Sequence, residues 1–288
     1  MTVKNRARIQ MAFSAAMFGT IPLFVRNISL ASWEVALYRA VIAAILIGVC
    51  LVFTRTRVPL AMIRRELPLL ILSGVAMGFN WILLFQAYRY TTVSVATLSY
   101  YFAPVLVTIA CPFLFQEKLT GRQILCFLLS TVGVALIVAA GESGTAENHL
   151  LGIALGLGAA VLYAGVVLTN KFIRNVAGIQ RTFCQFLAAA VVLVPYVGLT
   201  DGFHLVGLDV TGWINLLILG LFHTGVTYFL YFSSLKELPG QEAAVLSYID
   251  PVVAIIVSVL LLGESITVLQ VAGGAMVLGF TLWNELGS

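Results

Sequence analysis

Charged side chains are scarce in this sequence, in which Asp, Glu, Lys and Arg together make up 10% of the 288 residues. A soluble domain carries roughly 25% charged residues, because its surface has to be hydrated. The shortage argues against a water-soluble enzyme and a disordered scaffold. The net charge of +4 is too small for a nucleic-acid-binding surface. With 61% hydrophobic residues, the chain is predicted to be an integral membrane protein.

Sequence patterns that bind metals, cofactors or ATP are also lacking. The sequence contains no CxxC pair, no HExxH and no GxxxxGK[ST] phosphate-binding loop. Its four cysteines lie inside apolar stretches and are interpreted as small hydrophobic side chains: Cys50, Cys111, Cys126 and Cys184. We therefore predict no metal, no cofactor and no ATP-driven pump.

Ten apolar stretches are long enough to cross a membrane, since a helix needs about 20 mainly apolar residues to do so. We predict spans at about 9–26, 33–53, 67–88, 93–115, 122–140, 150–170, 180–198, 213–235, 243–262 and 267–284. The links between them are too short to fold as a soluble domain. Any chemistry must therefore take place in or between the helices.

The basic residues indicate how these spans are oriented. Lys and Arg accumulate in the cytoplasmic links of membrane proteins. With the N-terminus in the cytoplasm, only Arg26, Arg39 and Arg89 of the 16 Lys and Arg residues fall outside the cytoplasmic side. We predict a multi-pass protein of the plasma membrane, the inner membrane of a bacterium, with both termini in the cytoplasm.

An internal repeat divides the chain into residues 1–145 and 146–288, with five spans in each half. Arg26 has its counterpart in Lys171, at an offset of 145 residues. Five further residues recur at an offset of 147, namely Tyr101, Pro104, Glu117, Thr120 and Gln123, which return as Tyr248, Pro251, Glu264, Thr267 and Gln270. Because five is odd, the two halves enter the membrane from opposite sides. Such inverted repeats are typical of transporters that work by alternating access.

Part of this repeat has a local explanation. The Thr-x-x-Gln patterns that begin at Thr120 and Thr267 have the spacing of capping boxes at the N-termini of spans five and ten. Glu117 and Glu264 come just before those helix starts, where the positive end of the helix dipole favours a carboxylate. We interpret both glutamates as structural rather than as proton carriers.

The whole-chain pattern resembles a known family. From Ser247 to Glu264 the sequence reads Ser-Tyr-x-x-Pro, then a stretch rich in small apolar residues, then Gly-Glu. This run is similar to the EamA type of the drug/metabolite transporter superfamily, and the duplicated ten-span layout extends the resemblance to essentially the entire chain. The resemblance implies a secondary carrier with a central cavity between two helix bundles. Many relatives export amino acids and other small metabolites, and the resemblance does not define the substrate.

Two ionisable residues lie inside predicted spans, where a charge is costly and marks a candidate functional site. Asp250 lies in span nine directly before Pro251, and Arg39 lies in span two. A carboxylate and a guanidinium that face one cavity would hold the ammonium and the carboxylate of a zwitterion. In the alternative, Asp250 satisfies backbone groups freed by the proline, and the Arg39 side chain extends to the membrane surface.

Polar and aromatic residues on spans three and eight are further substrate-binding candidates. Asn80 and Trp81 correspond in the repeat to Thr227 and Tyr228. At helical spacing, His223, Thr227 and Tyr231 form one stripe on span eight. His223 is a candidate for proton coupling, and the alternative is a buried, hydrogen-bonded histidine. The remaining predicted lining residues are Tyr38, Tyr101, Tyr163 and Tyr248.

Small-residue ridges on spans three and six predict close helix packing. Gly74 and Gly78 form a GxxxG pattern, and Gly152 begins a second ridge. We assign these ridges to packing within one chain, so a monomer surrounded by lipid is expected.

Together these features predict a secondary transporter, not an enzyme, that exports small amphiphilic metabolites, most of all amino acids, by alternating access. An exporter of lipophilic cations is the alternative, because Asp250 among aromatic rings would suit such a substrate. An intramembrane enzyme is the alternative from a different class. It would need an HExxH pair or two aspartates within the spans, and Asp250 is the only aspartate there.

Overall fold

The computed structural model of the protein describes residues 2–54, 60–115, 120–140, 148–176, 178–235, 237–238 and 240–286. Within these ranges every regular element is helical. The helices are α1 Val3–Gly19, α2 Ile21–Val25, α3 Ser32–Phe53, α4 Leu60–Tyr90, α5 Val93–Tyr100, α6 Ala103–Phe115, α7 Gly121–Ala139, α8 His149–Phe172, α9 Gly178–Thr200, α10 Val210–Leu217, α11 Thr227–Leu235, α12 Gly240–Ser247, α13 Ile249–Ile256 and α14 Val268–Glu285. Two π-helical segments, Ile218–Val226 and Val257–Leu261, follow α10 and α13.

Length and composition identify the membrane-spanning segments. Among the described residues, 8 helical stretches have at least 18 residues and are apolar enough to cross a membrane, the longest being Leu60–Tyr90. Two shorter apolar stretches, Val245–Leu261 and Val268–Asn284, follow them. The protein is therefore an all-α polytopic membrane protein, as predicted. The count of ten spans, the inverted relation of the halves and the side of the termini stay predictions.

Several spans that the sequence pattern predicts as continuous helices are interrupted in the structure. In the fourth, α5 gives way to α6 at Tyr101, and in the ninth α12 gives way to α13 at Tyr248. Pro104 and Pro251 follow these interruptions. A proline has no N–H to donate, and its ring clashes with the carbonyl group four residues back. The two interruptions place Tyr101 and Tyr248, which are counterparts in the repeat, with their ring centroids 6.2 Å apart.

The first and eighth spans also depart from a regular α-helix. The first breaks at Thr20, directly before the short helix α2 with Pro22 in its first turn. The eighth changes from α10 to the π-helical segment Ile218–Val226 and back to α11. A π-helix is wider than an α-helix, so side chains four residues apart no longer lie in one line along the span.

Helices from the two halves pack against each other in matching pairs. Helix α1 contacts α11 and α13, while α8, the first helix of residues 146–288, contacts α4, α5 and α6. Helix α3 packs on α9, and α7 packs on α14. Glycines allow the closest approaches: a Cβ added to Gly133 would lie 2.7 Å from the carbonyl oxygen of Gly273. The predicted ridges at Gly74 and Gly152 likewise pack within the chain, against Gln185 and Thr91.

Both predicted capping boxes are confirmed. The Thr120 Oγ1 atom accepts a hydrogen bond of 3.2 Å from the backbone N–H of Gln123, whose side chain accepts one of 2.8 Å from the Thr120 N–H. Thr267 and Gln270 form the same pair at 3.2 and 2.9 Å. Glu117, which precedes the first box, lies outside the described residues.

Candidate functional site

A cavity of about 550 Å³ lies at the centre of the helix bundle and is lined by both halves of the chain. Aromatic side chains make up much of its wall, from Phe18, Trp81 and Phe85 in the first half to Tyr163, Tyr228 and Tyr248 in the second. Arg39 and Asp250 also line it. A cavity of this size, lined mainly by apolar and aromatic side chains with a few polar groups, is the usual form of a small-molecule site.

Arg39 lies on α3 and is 2% exposed. Its Nε donates a hydrogen bond of 2.6 Å to Thr224 Oγ1, and its guanidinium carbon is 4.5 Å from the centroid of the Trp81 ring and 5.5 Å from that of Phe85. In the described part of the chain no carboxylate pairs with Arg39, and its Nη1 and Nη2 groups have no hydrogen-bond partner. The arginine therefore presents a positive charge to the cavity that is held by aromatic faces and one hydroxyl group.

Asp250 lies in the first turn of α13, just after the interruption at Tyr248. Its Oδ2 accepts a hydrogen bond of 2.7 Å from the hydroxyl group of Tyr101, which comes from the interruption in the other half. Among the described residues this is the one hydrogen bond of the Asp250 side chain. The carboxylate is therefore held toward the cavity by a side chain, and no hydrogen bond to a backbone group next to Pro251 is observed.

Each of the two charges is surrounded by packed aromatic rings. Near Arg39, the Trp81 ring lies 5.5 Å from Phe186, which in turn lies 5.4 Å from Tyr228. Near Asp250, the Tyr100 ring lies 5.4 Å from Tyr163. Rings at these separations pack edge-on or tilted and form a rigid wall.

Seven of the predicted site residues line the cavity: Asp250, Arg39, Trp81, Tyr228, Tyr101, Tyr248 and Tyr163. The other four, Asn80, Tyr38, His223 and Thr227, are not part of its wall. Asn80 is buried and donates a hydrogen bond of 2.6 Å to the carbonyl oxygen of Ala159, which joins α4 to α8. Tyr38 packs against the hydrophobic core.

His223 and Thr227 also lie off the cavity wall. His223 is 1% exposed; its Nε2 is 2.9 Å from the Thr20 hydroxyl group, and its ring packs on Phe24. Thr227 is buried and donates a hydrogen bond of 2.8 Å to the carbonyl oxygen of Phe222, in its own span. The substrate-binding roles of both residues stay predictions.

Sequence reasoning missed several lining residues. Phe85 and Tyr88 follow Trp81 by four and seven residues on α4, and this helical spacing would have placed them on the same face. Lys171 lines the cavity too, although the sequence pattern connected it with topology alone. Thr224, which contacts Arg39 without lining the cavity, could not be recognised in the sequence, because its approach to Arg39 depends on the π-helical segment.

The two ends of helix α8 mark the two ends of the bundle: the helix begins at His149, and Lys171 lies in its last turn. His149 Nδ1 is 2.8 Å from the Thr91 hydroxyl group, and Arg26 donates a hydrogen bond of 3.0 Å to the Thr91 carbonyl oxygen. His149, Thr91 and Arg26 therefore lie together at what we call the Arg26 end. The opposite end is called the Lys171 end.

At the Arg26 end, Glu264 connects several segments. Its Oε1 forms an ion pair with Arg26 Nη1 at 2.5 Å, and its Oε2 accepts a hydrogen bond of 2.7 Å from the N–H of Val93 at the start of α5. The Ser258 hydroxyl group also donates to Glu264. Arg26 in turn donates a hydrogen bond of 2.7 Å to the carbonyl oxygen of Tyr88. These contacts tie α2, α4 and α5 to the segment that follows α13.

At the Lys171 end, by contrast, the cavity wall continues to residues near the helix termini. Lys171 lines the cavity with its Nζ 3.3 Å from Cys111 Sγ. Asn284, near the end of α14, donates a hydrogen bond of 2.9 Å to Thr108, and both line the cavity. The cavity thus reaches toward the Lys171 end from the level of Asp250.

Comparison with known proteins identifies the family. The sequence model of the EamA-like transporter family matches residues 6–139 and 150–284. The chain belongs to the EamA-like transporter family. It is thus a multi-pass membrane transporter, and membership of this family argues against an enzyme.

Relatives of this transporter occur in bacteria and archaea. The uncharacterized transporter YxxF of Bacillus subtilis (strain 168) is 29% identical over 95% of this chain and 88% of its own length. An uncharacterized transporter of Archaeoglobus fulgidus is 28% identical over 94% of both chains. Protein PecM of Dickeya dadantii (strain 3937) is 24% identical over 82% of this chain and 78% of its own length.

A protein of known crystal structure has the same fold. It superposes with a TM-score of 0.64 over 96% of this chain and 94% of its own, at 18% sequence identity. At this identity the likeness concerns the fold alone.

Proposed function

We propose that this transporter exports small amphiphilic metabolites, amino acids above all, across the plasma membrane by alternating access. The observation that carries the proposal is the placement of Arg39 and Asp250 on the wall of one cavity. In the described residues, Arg39 has no carboxylate partner and the Asp250 side chain has a single hydrogen bond, from Tyr101. The ligand would supply the missing hydrogen-bond and charge partners of both side chains.

A zwitterion matches these two groups. Its carboxylate would bind the Nη1 and Nη2 groups of Arg39 through two parallel hydrogen bonds, the geometry that a guanidinium favours. Its ammonium group would bind Asp250. An apolar or aromatic side chain would pack against rings such as Trp81 and Tyr228.

Alternating access is supported by the packing of the two halves and by the two ends of the bundle. The first helix of each half packs against later helices of the other half, as inverted repeats would. Such repeats permit two related arrangements of the halves around one central site. The cavity reaches the Lys171 end, while the Arg26 end carries the Glu264 network.

The proposed direction rests on the distribution of basic residues. Arg64 near the start of α4, Arg122 at the start of α7 and Arg174 after α8 lie at the Lys171 end. The excess of positive charge favours the cytoplasm for this end. A substrate for export would then enter the cavity from the cytoplasm.

Counterflow in proteoliposomes tests the proposal. Proteoliposomes that contain the purified protein and are preloaded with unlabelled amino acids should accumulate labelled amino acid from the medium. The Asp250→Asn and Trp81→Ala variants should lose this activity while eluting like the wild type in gel filtration. Asp201→Asn, the same chemical change on an exposed link, should keep the activity. Wild-type rates from both cavity variants would refute the site.

Export of lipophilic cations is the second candidate, and the aromatic wall around Asp250 favours it. The same counterflow experiment with tetraphenylphosphonium separates the two. Accumulation of this cation, without accumulation of any amino acid, would replace the first proposal by the second. An imposed pH gradient that changes the rate would show coupling to protons.

A further inference from the structure

The π-helical segment Ile218–Val226 faces Arg39 across a close helix contact. Two glycines permit the approach to α3: a Cβ added to Gly220 would lie 2.7 Å from Ile42 Cβ, and one added to Gly225 would clash with Leu46 Cδ2. Arg39, Ile42 and Leu46 lie on the same face of α3, because they are separated by three and four residues. The segment is therefore seated directly against the side of α3 that carries the arginine.

Thr224 lies between these two glycines and is fully buried. Its hydroxyl group donates a hydrogen bond of 2.8 Å to the carbonyl oxygen of Leu219, five residues back. A threonine hydroxyl group has one hydrogen to donate. In the 2.6 Å contact with Arg39 Nε the oxygen acts as the acceptor, because a guanidinium can only donate. The hydroxyl hydrogen is directed to Leu219, so a lone pair of the oxygen is available to Arg39.

This hydrogen bond determines which part of the guanidinium meets a ligand. The Nε edge is occupied by Thr224, and the rings of Trp81 and Phe85 lie 4.5 and 5.5 Å from the guanidinium carbon. The Nη1 and Nη2 edge is left for the cavity. Two parallel N–H groups on one edge fit the two oxygens of a carboxylate.

We propose that Thr224 is a positioning residue that orients Arg39 for a substrate carboxylate, and so helps to determine the specificity of the transporter. The proposal rests on the proposed function, and it adds a residue that does not line the cavity. Thr224 acts through Arg39, so its loss should weaken recognition of the substrate without changing the rate of the transport cycle at saturation.

The chain offers a matched control on α14. Thr281 is 1% exposed and also donates a hydrogen bond, of 2.6 Å, to a carbonyl oxygen of its own helix, that of Val277. No contact with Arg39 is observed for Thr281 among the described residues. A Thr→Val change at either position deletes one buried hydroxyl group of the same kind, and only the change at Thr224 removes the acceptor for Arg39.

The test is the concentration dependence of amino-acid counterflow in proteoliposomes. For Thr224→Val we expect KM to rise about tenfold, because loss of a hydrogen bond to a charged group weakens binding by about that factor. The maximal rate should stay within about twofold of the wild type. Thr281→Val should leave KM unchanged, and Thr224→Ser, which restores the hydroxyl group, should return KM to the wild-type value. If Thr224→Val does not fold, Thr224→Ala removes the same group without added bulk.

A double-mutant cycle separates positioning from a general effect on structure. Arg39→Lys keeps the charge and removes the Nε donor, so adding Thr224→Val to it should cause no further rise in KM. A further tenfold rise, or equal effects of Thr224→Val and Thr281→Val, would overturn the inference and leave the proposed function intact. A wild-type protein that transports no amino acid would instead refute the proposed function, and this inference with it.

Discussion

The Arg26 end of the bundle is held together by charged hydrogen bonds, whereas the cavity wall continues to the Lys171 end. Arg26 and Lys171 occupy equivalent positions in the sequence repeat. Arg26 pairs with Glu264 at 2.5 Å and bonds to two backbone carbonyl groups, while Lys171 lies on the cavity wall beside Cys111. The same kind of residue therefore joins helices through charged hydrogen bonds at one end and lines the cavity at the other.

The difference between the ends fits a carrier in one of two alternate states. If the halves are inverted repeats, an exchange of their conformations would place Lys171 in surroundings like those of Arg26, and Arg26 in surroundings like those of Lys171. The Arg26–Glu264 pair would then have to break when the Arg26 end opens. The free energy of this pair would contribute to the balance between the two states.

The largest effect is expected from Arg26→Gln. This change leaves the carboxylate of Glu264, whose side chain is 9% exposed, without its cation, and removal of one partner from a buried pair is destabilising. We expect the population to shift toward a state open at the Arg26 end and the counterflow rate to fall about tenfold.

The shift can be measured at Cys111. In a variant with Cys50, Cys126 and Cys184 replaced by alanine, labelling of Cys111 by a membrane-impermeant maleimide should become slower with Arg26→Gln. The control is Arg64→Gln, which removes an exposed arginine at the other end. Unchanged transport and unchanged labelling would contradict a closing role for the ion pair.

A smaller effect is expected from Lys171→Met. Lys171 lies on the cavity wall, with its Nζ 3.3 Å from Cys111 Sγ. We expect the counterflow rate to fall no more than about threefold, because the cavity already extends to this end of the bundle. A loss as large as that of Arg26→Gln would mean that the two ends are closed by equally strong contacts.

The smallest effects are expected where the two ends have the same local structure. Thr120 and Thr267 begin α7 and α14 at opposite ends, in identical capping boxes. Thr120→Ala and Thr267→Ala should each lower the free energy of unfolding by about 1 kcal/mol and leave KM unchanged. Thermal unfolding of the purified protein measures the loss of stability, with Thr131→Ala in the middle of α7 as the control. Unequal losses from the two variants would show that the ends differ in local structure as well.

Local patterns predicted most of the fold. Apolar stretches of sufficient length located the helices, and the Thr-x-x-Gln spacing located two helix starts to within one residue. The prolines at 104 and 251 were visible, and the structure interrupts both spans just before them. The stripe of His223, Thr227 and Tyr231 assumed α-helical spacing, and the π-helical segment Ile218–Val226 changed which side chains share a face.

The site was predicted in part, for a physical reason. Arg39 and Asp250 were recognisable because a charge inside an apolar stretch is costly unless it has a use. Lys171 was not recognised, because a basic residue near a helix end has a sufficient explanation in membrane topology. The contact between Arg39 and Thr224 joins residues that are far apart along the chain, and nothing in either neighbourhood indicates it.

The sequence by itself determined that the chain is an all-helical membrane protein, where two of its helices begin, and that Arg39 and Asp250 lie within apolar stretches. These properties depend on residues close together along the chain, through hydrophobic length, capping and proline geometry. Only the tertiary structure decided that Glu264 pairs with Arg26 and that Thr224 holds Arg39. Both contacts depend on how helices from opposite halves pack, and packing is a property of all the helices at once.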